Sequence, residues 1–188
     1  MNIKQERYEN AKRYERAVKG MRSKVAGEHF ENMITAACAQ YREERMAEIA
    51  KTPEPMRPIS GQRNGKLIAI FTKRAQPDFK GVMNGGRCVV FEAKHTDSGK
   101  MMKKAVTEEQ ARQLDRYWQM GAWCFVLVSF DFYRFFRVPW SVWRDMKDYF
   151  GRAYFTPAEA HERKYEIYAD DKGTLRFLRG ELNGESGY

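Results

Sequence analysis

The stretch that most constrains this chain is a short hairpin that ends in charge. Gln76-Pro77-Asp78-Phe79-Lys80-Gly81 leads through Asn84-Gly85-Gly86 into Val89-Val90-Phe91-Glu92-Ala93-Lys94. Asn and Gly tolerate positive φ, so Asn84-Gly85-Gly86 makes a good hairpin turn. Cys88 to Ala93 is short, apolar and β-branched enough for a buried strand. Side chains alternate along a strand, so Glu92 and Lys94 share a face, their Cα atoms roughly 7 Å apart. The turn folds Asp78 back toward them. Two carboxylates and a lysine at the end of an apolar hairpin are expensive to bury unless something compensates the charge. A divalent cation would do so: Mg²⁺ prefers hard oxygen ligands and keeps waters that can attack a phosphate. The plainer alternative is a solvated strand end with a surface ion pair.

Composition narrows the setting. The chain has 188 residues, 43% hydrophobic and 14% aromatic, which suits one globular domain with appendages. Its formal net charge of +9 favours a polyanionic partner such as nucleic acid. Cys38, Cys88 and Cys124 are odd in number and widely spaced, which fits neither a disulfide framework nor paired zinc ligands. All three are expected to be buried thiols in a reducing cytoplasm. The first twenty residues are too charged for a signal peptide, and no apolar run approaches the ~20 residues needed to span a bilayer. The chain therefore reads as soluble and cytosolic, with no membrane partner. His29, His95 and His161 are too scattered for a zinc site. The phosphate-loop pattern and the known nucleophile motifs are missing.

Along the chain, residues 1–22 read as a basic arm with helix-forming residues (Glu6, Arg7, Lys12, Arg13 and Glu15) but a thin apolar face, either mobile or in contact with phosphates. Residues 23–155 are the expected core, and 156–188 a charged tail that either adds a small strand over 174–178 or frays. The pattern predicts a long helix from Ser23 to about Ala50, with Phe30, Met33, Ile34, Ala37, Cys38 and Tyr41 on one stripe. Glu31 lies at the edge of that stripe, ordinarily an exposed position. Pro53, Pro55 and Pro58 break the helix. The region of about 51–75 that follows is rich in turn residues and carries Arg57, Arg63, Lys66, Lys73 and Arg74 with few acids. It reads as an irregular, projecting basic hairpin with a short strand at 67–71. Thr107-Glu108-Glu109-Gln110 is a capping box opening a helix, with Gly121 beyond its end. Ala122 to Phe130 is a buried strand, Phe132 to Val138 another, and Trp140 to Phe150 a short helix after Pro139. The class is α/β, a mixed β-sheet flanked by helices.

These motifs together resemble a known family. Pro77-Asp78 followed by Glu92-Ala93-Lys94 resembles the PD-(D/E)xK nuclease signature, and the element order matches its restriction-endonuclease-like core. Further stretches resemble the RecU-type Holliday junction resolvases in particular. Gly27-Glu28-His29-Phe30-Glu31 is similar to their Gly-x-x-x-Glu stretch. Asp78-Phe79-Lys80-Gly81 looks like Asp-Tyr-x-Gly, and Phe91-Glu92-Ala93-Lys94-His95-Thr96 like Phe-Glu-Ala-Lys-x-Thr. Gly121-Ala122 with Cys124-Phe125-Val126 resembles the family's Gly-x-x-Phe-hydrophobic strand. The resemblance covers roughly residues 22–140. Phe79 replaces a usual Tyr, Glu109 stands where the family tends to have His, and the proline-rich segment matches the family's stalk only loosely.

The resemblance implies a metal-dependent, structure-selective DNA endonuclease that resolves four-way junctions by paired symmetric nicks in recombination and repair. Asp78 and Glu92 would hold Mg²⁺ or Mn²⁺, with the Ala93 carbonyl and Glu31 as further ligands. Lys94 would act as base or as electrostatic stabiliser. Gln110 would bond to Lys94 or a phosphate, or else simply complete the capping box. Arg57, Arg63, Lys66, Lys73, Arg74 and Lys80 would contact DNA phosphates without reading sequence. Members of the family act as homodimers, in the cytoplasm of bacteria or, when phage-encoded, of a bacterial host. The alternatives are another PD-(D/E)xK nuclease acting on branched or single-stranded DNA, or a non-catalytic DNA-binding module.

Overall fold

The structure, a computed structural model, describes residues 3–53, 56–59, 69–71 and 76–178. It opens with one long helix, α1 (Ile3–Glu43). Phe30, Ile34, Ala37, Cys38 and Tyr41 on its second half are buried, which is the stripe that the spacing predicts. From Lys12 to His29 the same helix has no buried side chain.

The end of α1 corrects the expected helix boundary at Ala50. Arg45 adopts φ 56°, Arg45 N–H donates to Arg42 O and Met46 N–H to Tyr41 O. That pair of bonds is a Schellman stop, made here without the glycine that usually marks it. Residues 47–50 then enter strand β1 (Ala47–Lys51), with Ala47 and Ile49 buried and Glu48 outward.

After β1, strands β2 (Met56–Pro58) and β3 (Ala69–Phe71) pair antiparallel with each other and with no strand of the main sheet. They fall within the basic region of about 51–75 expected to fold as a projecting hairpin, and pair as a hairpin does. Its strand at 67–71 is therefore not the first strand of the core, a place that β1 takes. Arg57 is exposed on β2, whereas Arg63, Lys66, Lys73 and Arg74 lie outside the described residues.

The main sheet also contains β4 (Phe79–Met83), β5 (Cys88–Thr96), β7 (Trp123–Phe130), β8 (Arg134–Pro139) and β10 (Glu166–Ile167). Its order is β1-β4-β5-β7-β8-β10, and only the β5–β7 pair is parallel. A short β6 (Met101–Met102) pairs with β9 (Tyr154–Phe155) outside it. The helices α2 (Glu108–Gln119), α3 (Trp140–Arg144), α4 (Met146–Phe150) and α5 (Pro157–Glu162) complete the set. The expected helix over 140–150 is thus two short ones, separated at Asp145. A helix, a three-stranded meander (β1, β4, β5), a second helix and a further strand follow in the order expected of a PD-(D/E)xK core.

Two apolar layers hold the sheet. On one face, α1 packs over Phe79, Phe91, Phe125 and Leu127; on the other, Leu114 of α2 and Trp140, Trp143 and Met146 cover Val90, Val126 and Val128. Phe79, Phe91 and Phe125 are direct cross-strand partners, and their rings stack with centroids 5.0 and 4.7 Å apart. A one-residue slip would turn all three rings to the wrong face, so the ladder fixes register. Phe79 is fully buried in it, so the hydroxyl of the family's usual tyrosine would need a partner inside this layer.

Residues 156–178, a tail by sequence, contribute α5, β10 and five buried core residues, Ala160, Ile167, Leu175, Phe177 and Leu178. In place of a strand over 174–178 there is a single bridge, Ala169 to Leu175. The Tyr41 hydroxyl ties this segment to α1, donating to Leu175 O and accepting from Leu178 N–H. Cys38 and Cys124 are buried as expected, but Cys88, at the first position of β5, is exposed.

Gly81 shows how closely the edge strand approaches. A Cβ there would lie 2.0 Å from Glu48 O and 2.6 Å from Ile49 Cα, both backbone atoms of β1. Neither can move aside without breaking the β1–β4 ladder. Gly81→Ala should therefore destabilise the protein by about 1–3 kcal/mol, read as a lower urea midpoint. An unchanged midpoint would mean that β1 is free to shift.

Candidate active site

The ring ladder sets the place of the site. With Phe79 opposite Phe91, the preceding Asp78 lies beside Glu92. Alternation puts Glu92 and Lys94 on the α2 face while Phe91 and Ala93 face α1. The Lys94 ammonium is 2.8 Å from Glu92 Oε2 and 3.5 Å from Asp78 Oδ2. Asp78 Oδ2 also accepts from the Ala93 backbone N–H at 2.9 Å, which ties β4 to β5 at this level. Asp78, Glu92 and Lys94, expected to converge, do so.

Glu92 is the unusual member. Its side chain is 0% exposed, whereas Asp78 and Lys94 keep 20% and 17%. Lys94 and Gln110 both donate to Oε2, the latter from Nε2 at 2.5 Å, while Oε1 is buried with no donor. Burial pushes the Glu92 carboxyl up to about 8; Lys94 opposes this and Asp78 reinforces it. For Lys94 burial works against the charge, but Glu92 and Asp78 outweigh it and hold the ammonium above its ordinary range.

Gln110 completes the capping box open to it from sequence, and its other bond goes to a partner the sequence did not indicate. Thr107 caps α2 by accepting from Gln110 N–H, and Gln110 Oε1 accepts from Thr107 N–H at 3.1 Å. The same amide then donates to Glu92, not to Lys94. Its orientation is fixed from both ends, because the cap needs an acceptor and the carboxylate a donor. Neighbouring Glu109 turns away to Arg112.

Glu31 stands apart from this cluster. Its carboxylate is 2.6 Å from Lys51 Nζ, and its helix covers the sheet face opposite Glu92. Lys51 pairs across the sheet with Phe79, and Thr52 N–H donates to Asp78 O, so this ion pair lies at the Asp78 end of β4. Lys51 carries no signal in the sequence, because residues 47–50 continue the helical pattern and Lys51 falls with the prolines that break it. Lys80 shares the Asp78 face by alternation, and its ammonium donates to Gln76 Oε1 at 3.0 Å. Arg57 lies on the separate hairpin.

Among the described residues, no group of three or more His, Cys, Asp or Glu side chains converges as a ready-made metal cluster. The donors that do meet nevertheless suit a hard divalent ion: two carboxylates, one with a buried oxygen that lacks a donor, beside the Ala93 backbone. A hard cation meets the need of Glu92 Oε1 in a way that no described side chain does.

A pH dependence follows for the metal-free protein. The folded Glu92 pKa of about 8 lies above the ordinary 4.5. Its protonated form thus contributes stability that is complete below about 4.5 and is lost as pH rises through about 8. Urea unfolding in EDTA should show wild type losing stability across that window, with Glu92→Gln flatter and relatively more stable at the alkaline end. Parallel profiles for the two proteins would contradict the assignment.

Comparison with known proteins adds a family. A search of curated proteins returns no match. Among solved structures, the chain is similar to Hjc of Archaeoglobus fulgidus, a Holliday junction resolvase from an archaeal hyperthermophile whose structure is at 1.6 Å resolution. Identity is 13% over 62% of this chain and 75% of that one, with a TM-score of 0.41, too loose an overlap to bear on the site. The model of the family described as "Recombination protein U" matches residues 25–180, most of the length and all of the cluster around Glu92. The chain belongs to the RecU family of Holliday junction resolvases.

Proposed function

We propose that this protein is a divalent-metal-dependent endonuclease that resolves four-way DNA junctions by paired symmetric nicks, acting as a homodimer in the cytoplasm. The observation that carries the reading is Glu92, fully buried beside Asp78 with one oxygen left without a donor. Such an arrangement is costly in an empty protein and is relieved by a cation.

Asp78, Glu92 Oε1 and the Ala93 carbonyl would hold Mg²⁺ or Mn²⁺, with Glu31 reaching the site only once it leaves Lys51. When bound, the metal polarises the scissile phosphate and lowers the pKa of a coordinated water. The remaining work falls to the protein's own groups. Gln110 holds Glu92 Oε2 from the capped end of α2, so the carboxylate cannot rotate its other oxygen away. Glu92 and Asp78 hold the Lys94 ammonium above its ordinary range, which favours a role as stabiliser of charge on the phosphate oxygens over one as the base. Burial of Glu92 against the apolar α2 layer keeps water from competing for the same oxygen. Lys80, on the Asp78 face, and the basic hairpin with Arg57, Arg63, Lys66, Lys73 and Arg74 would take up the DNA backbone, so binding should weaken steeply with salt. Two copies related by a two-fold axis suit a junction that needs two symmetric cuts.

Cleavage of a labelled four-way junction and of the matching linear duplex tests this directly. Wild type in Mg²⁺ should nick the junction symmetrically and spare the duplex. EDTA should abolish cutting, and Asp78→Ala should lower it by at least about a hundredfold. Tight junction binding without cleavage in either Mg²⁺ or Mn²⁺ would overturn the enzyme in favour of a binding module.

A further inference from the structure

The turn between β7 and β8 is built at a cost that the fold alone does not require. Its two central residues, Asp131 and Phe132, have φ of 50° and 54°. Tyr133 N–H closes it by donating to Phe130 O at 3.0 Å. Positive φ at both central positions is normal for Asn-Gly but strained for a bulky residue such as Phe. Strain of this kind persists only where the surroundings over-determine it, and it concentrates at functional sites.

The surroundings do fix it. The Phe132 ring stacks on His95 at a 4.0 Å centroid distance and meets the edge of His29 at 5.0 Å. His95 is itself anchored, Nδ1 by Ser129 Oγ at 3.1 Å and Nε2 by Asp97 at 2.8 Å. Asp131 N–H donates to Thr96 O, which fastens the turn to the end of β5. Helix α1, the strand carrying Glu92 and Lys94, and the turn are thus clamped through one aromatic ring.

What this rigid mount presents is Tyr133, 87% exposed and more so than any other large hydrophobic side chain described. It stands at the carboxyl end of the parallel β5–β7 pair. Lys94 is opposite Val128, and Thr96 is opposite Phe130, to which Tyr133 bonds. The strand geometry separates the Tyr133 and Lys94 backbones by on the order of 10–15 Å. That is a few nucleotides of one strand. A phenol ring in water on a braced turn, within that reach of a phosphodiester-cleaving centre, has the chemistry to stack on a base.

The geometry points to Tyr133 as a base-stacking residue that receives an unstacked nucleobase next to the scissile phosphate, with Phe132 as its brace. Duplex DNA keeps its bases stacked, whereas a branch point offers bases that can be released at low cost. The element therefore selects branched substrate by its faces, where the basic residues hold only phosphates. This rests on the nuclease reading above, but its test does not need cleavage.

Four-way junctions carrying 2-aminopurine at the branch are titrated in EDTA with wild type, Tyr133→Phe, Tyr133→Ala and, as a second exposed tyrosine near the same edge but off the turn, Tyr168→Ala. Wild type, Tyr133→Phe and Tyr168→Ala should give the same fluorescence change and affinity. Tyr133→Ala should lose the change and bind the junction at least about fivefold more weakly. Circular dichroism should show all four equally folded, since both tyrosines are exposed. If Tyr133→Ala matches wild type in spectrum and affinity, the stacking role is wrong, whatever the cleavage assay shows. If stacking is seen but wild type cuts no DNA in Mg²⁺, the nuclease reading fails, and what stands is a stacking contact at the branch of a junction that is bound and not cut.

Discussion

Glu92 is a carboxyl group with no exposed surface, set in the middle strand of a mixed sheet, and one of its oxygens has no donor. Most of the surrounding structure is arranged to hold that group in place. The Phe79–Phe91–Phe125 ladder locks the register of three strands and so brings Asp78 level with Glu92. Lys94, two residues along the strand, supplies one compensating charge. The capped first turn of α2 supplies a neutral donor through Gln110. Together these groups satisfy one oxygen and leave the other without a donor.

The two faces of the sheet divide the labour. The face under α1 is apolar and aromatic; it secures register and is closed by the segment through Leu178, which Tyr41 grips from the helix. The face under α2 is apolar only as far as Val90, Val126 and Val128, and then becomes charged where Glu92 and Lys94 emerge. A charged site next to a rigid apolar layer has low dielectric on one side. Electrostatic interactions there are stronger than in water, and the groups that make them need little reorganisation. The hairpin of β2 and β3 keeps its own two-stranded pairing and carries Arg57 outside the main sheet.

Much of this was legible from residues alone. The Asn84-Gly85-Gly86 turn, the strand alternation and the Thr107-Gln110 capping box are local signals, and local signals were enough to bring Asp78, Glu92 and Lys94 together. What escaped depended on contacts distant in sequence. Strand β1 was hidden because α1 stops at Arg45, a left-handed residue without glycine, so the helical pattern ran on unbroken. With β1 unseen, Lys51 could not be placed beside Glu31. Leu175, Phe177 and Leu178 are few and interspersed with charge, and only the long-range bonds of Tyr41 and Arg137 show them to be core. The Gln110–Glu92 bond spans two elements and leaves no periodic trace.

Diffraction from crystals soaked in Mn²⁺ would test whether the donorless oxygen of Glu92 is a metal ligand. An anomalous difference peak is expected within coordination distance of Glu92 Oε1 and the Asp78 carboxylate, absent from crystals of Asp78→Ala treated in the same way. A saturating soak that leaves this position empty, or that places the ion away from Glu92, would contradict that role.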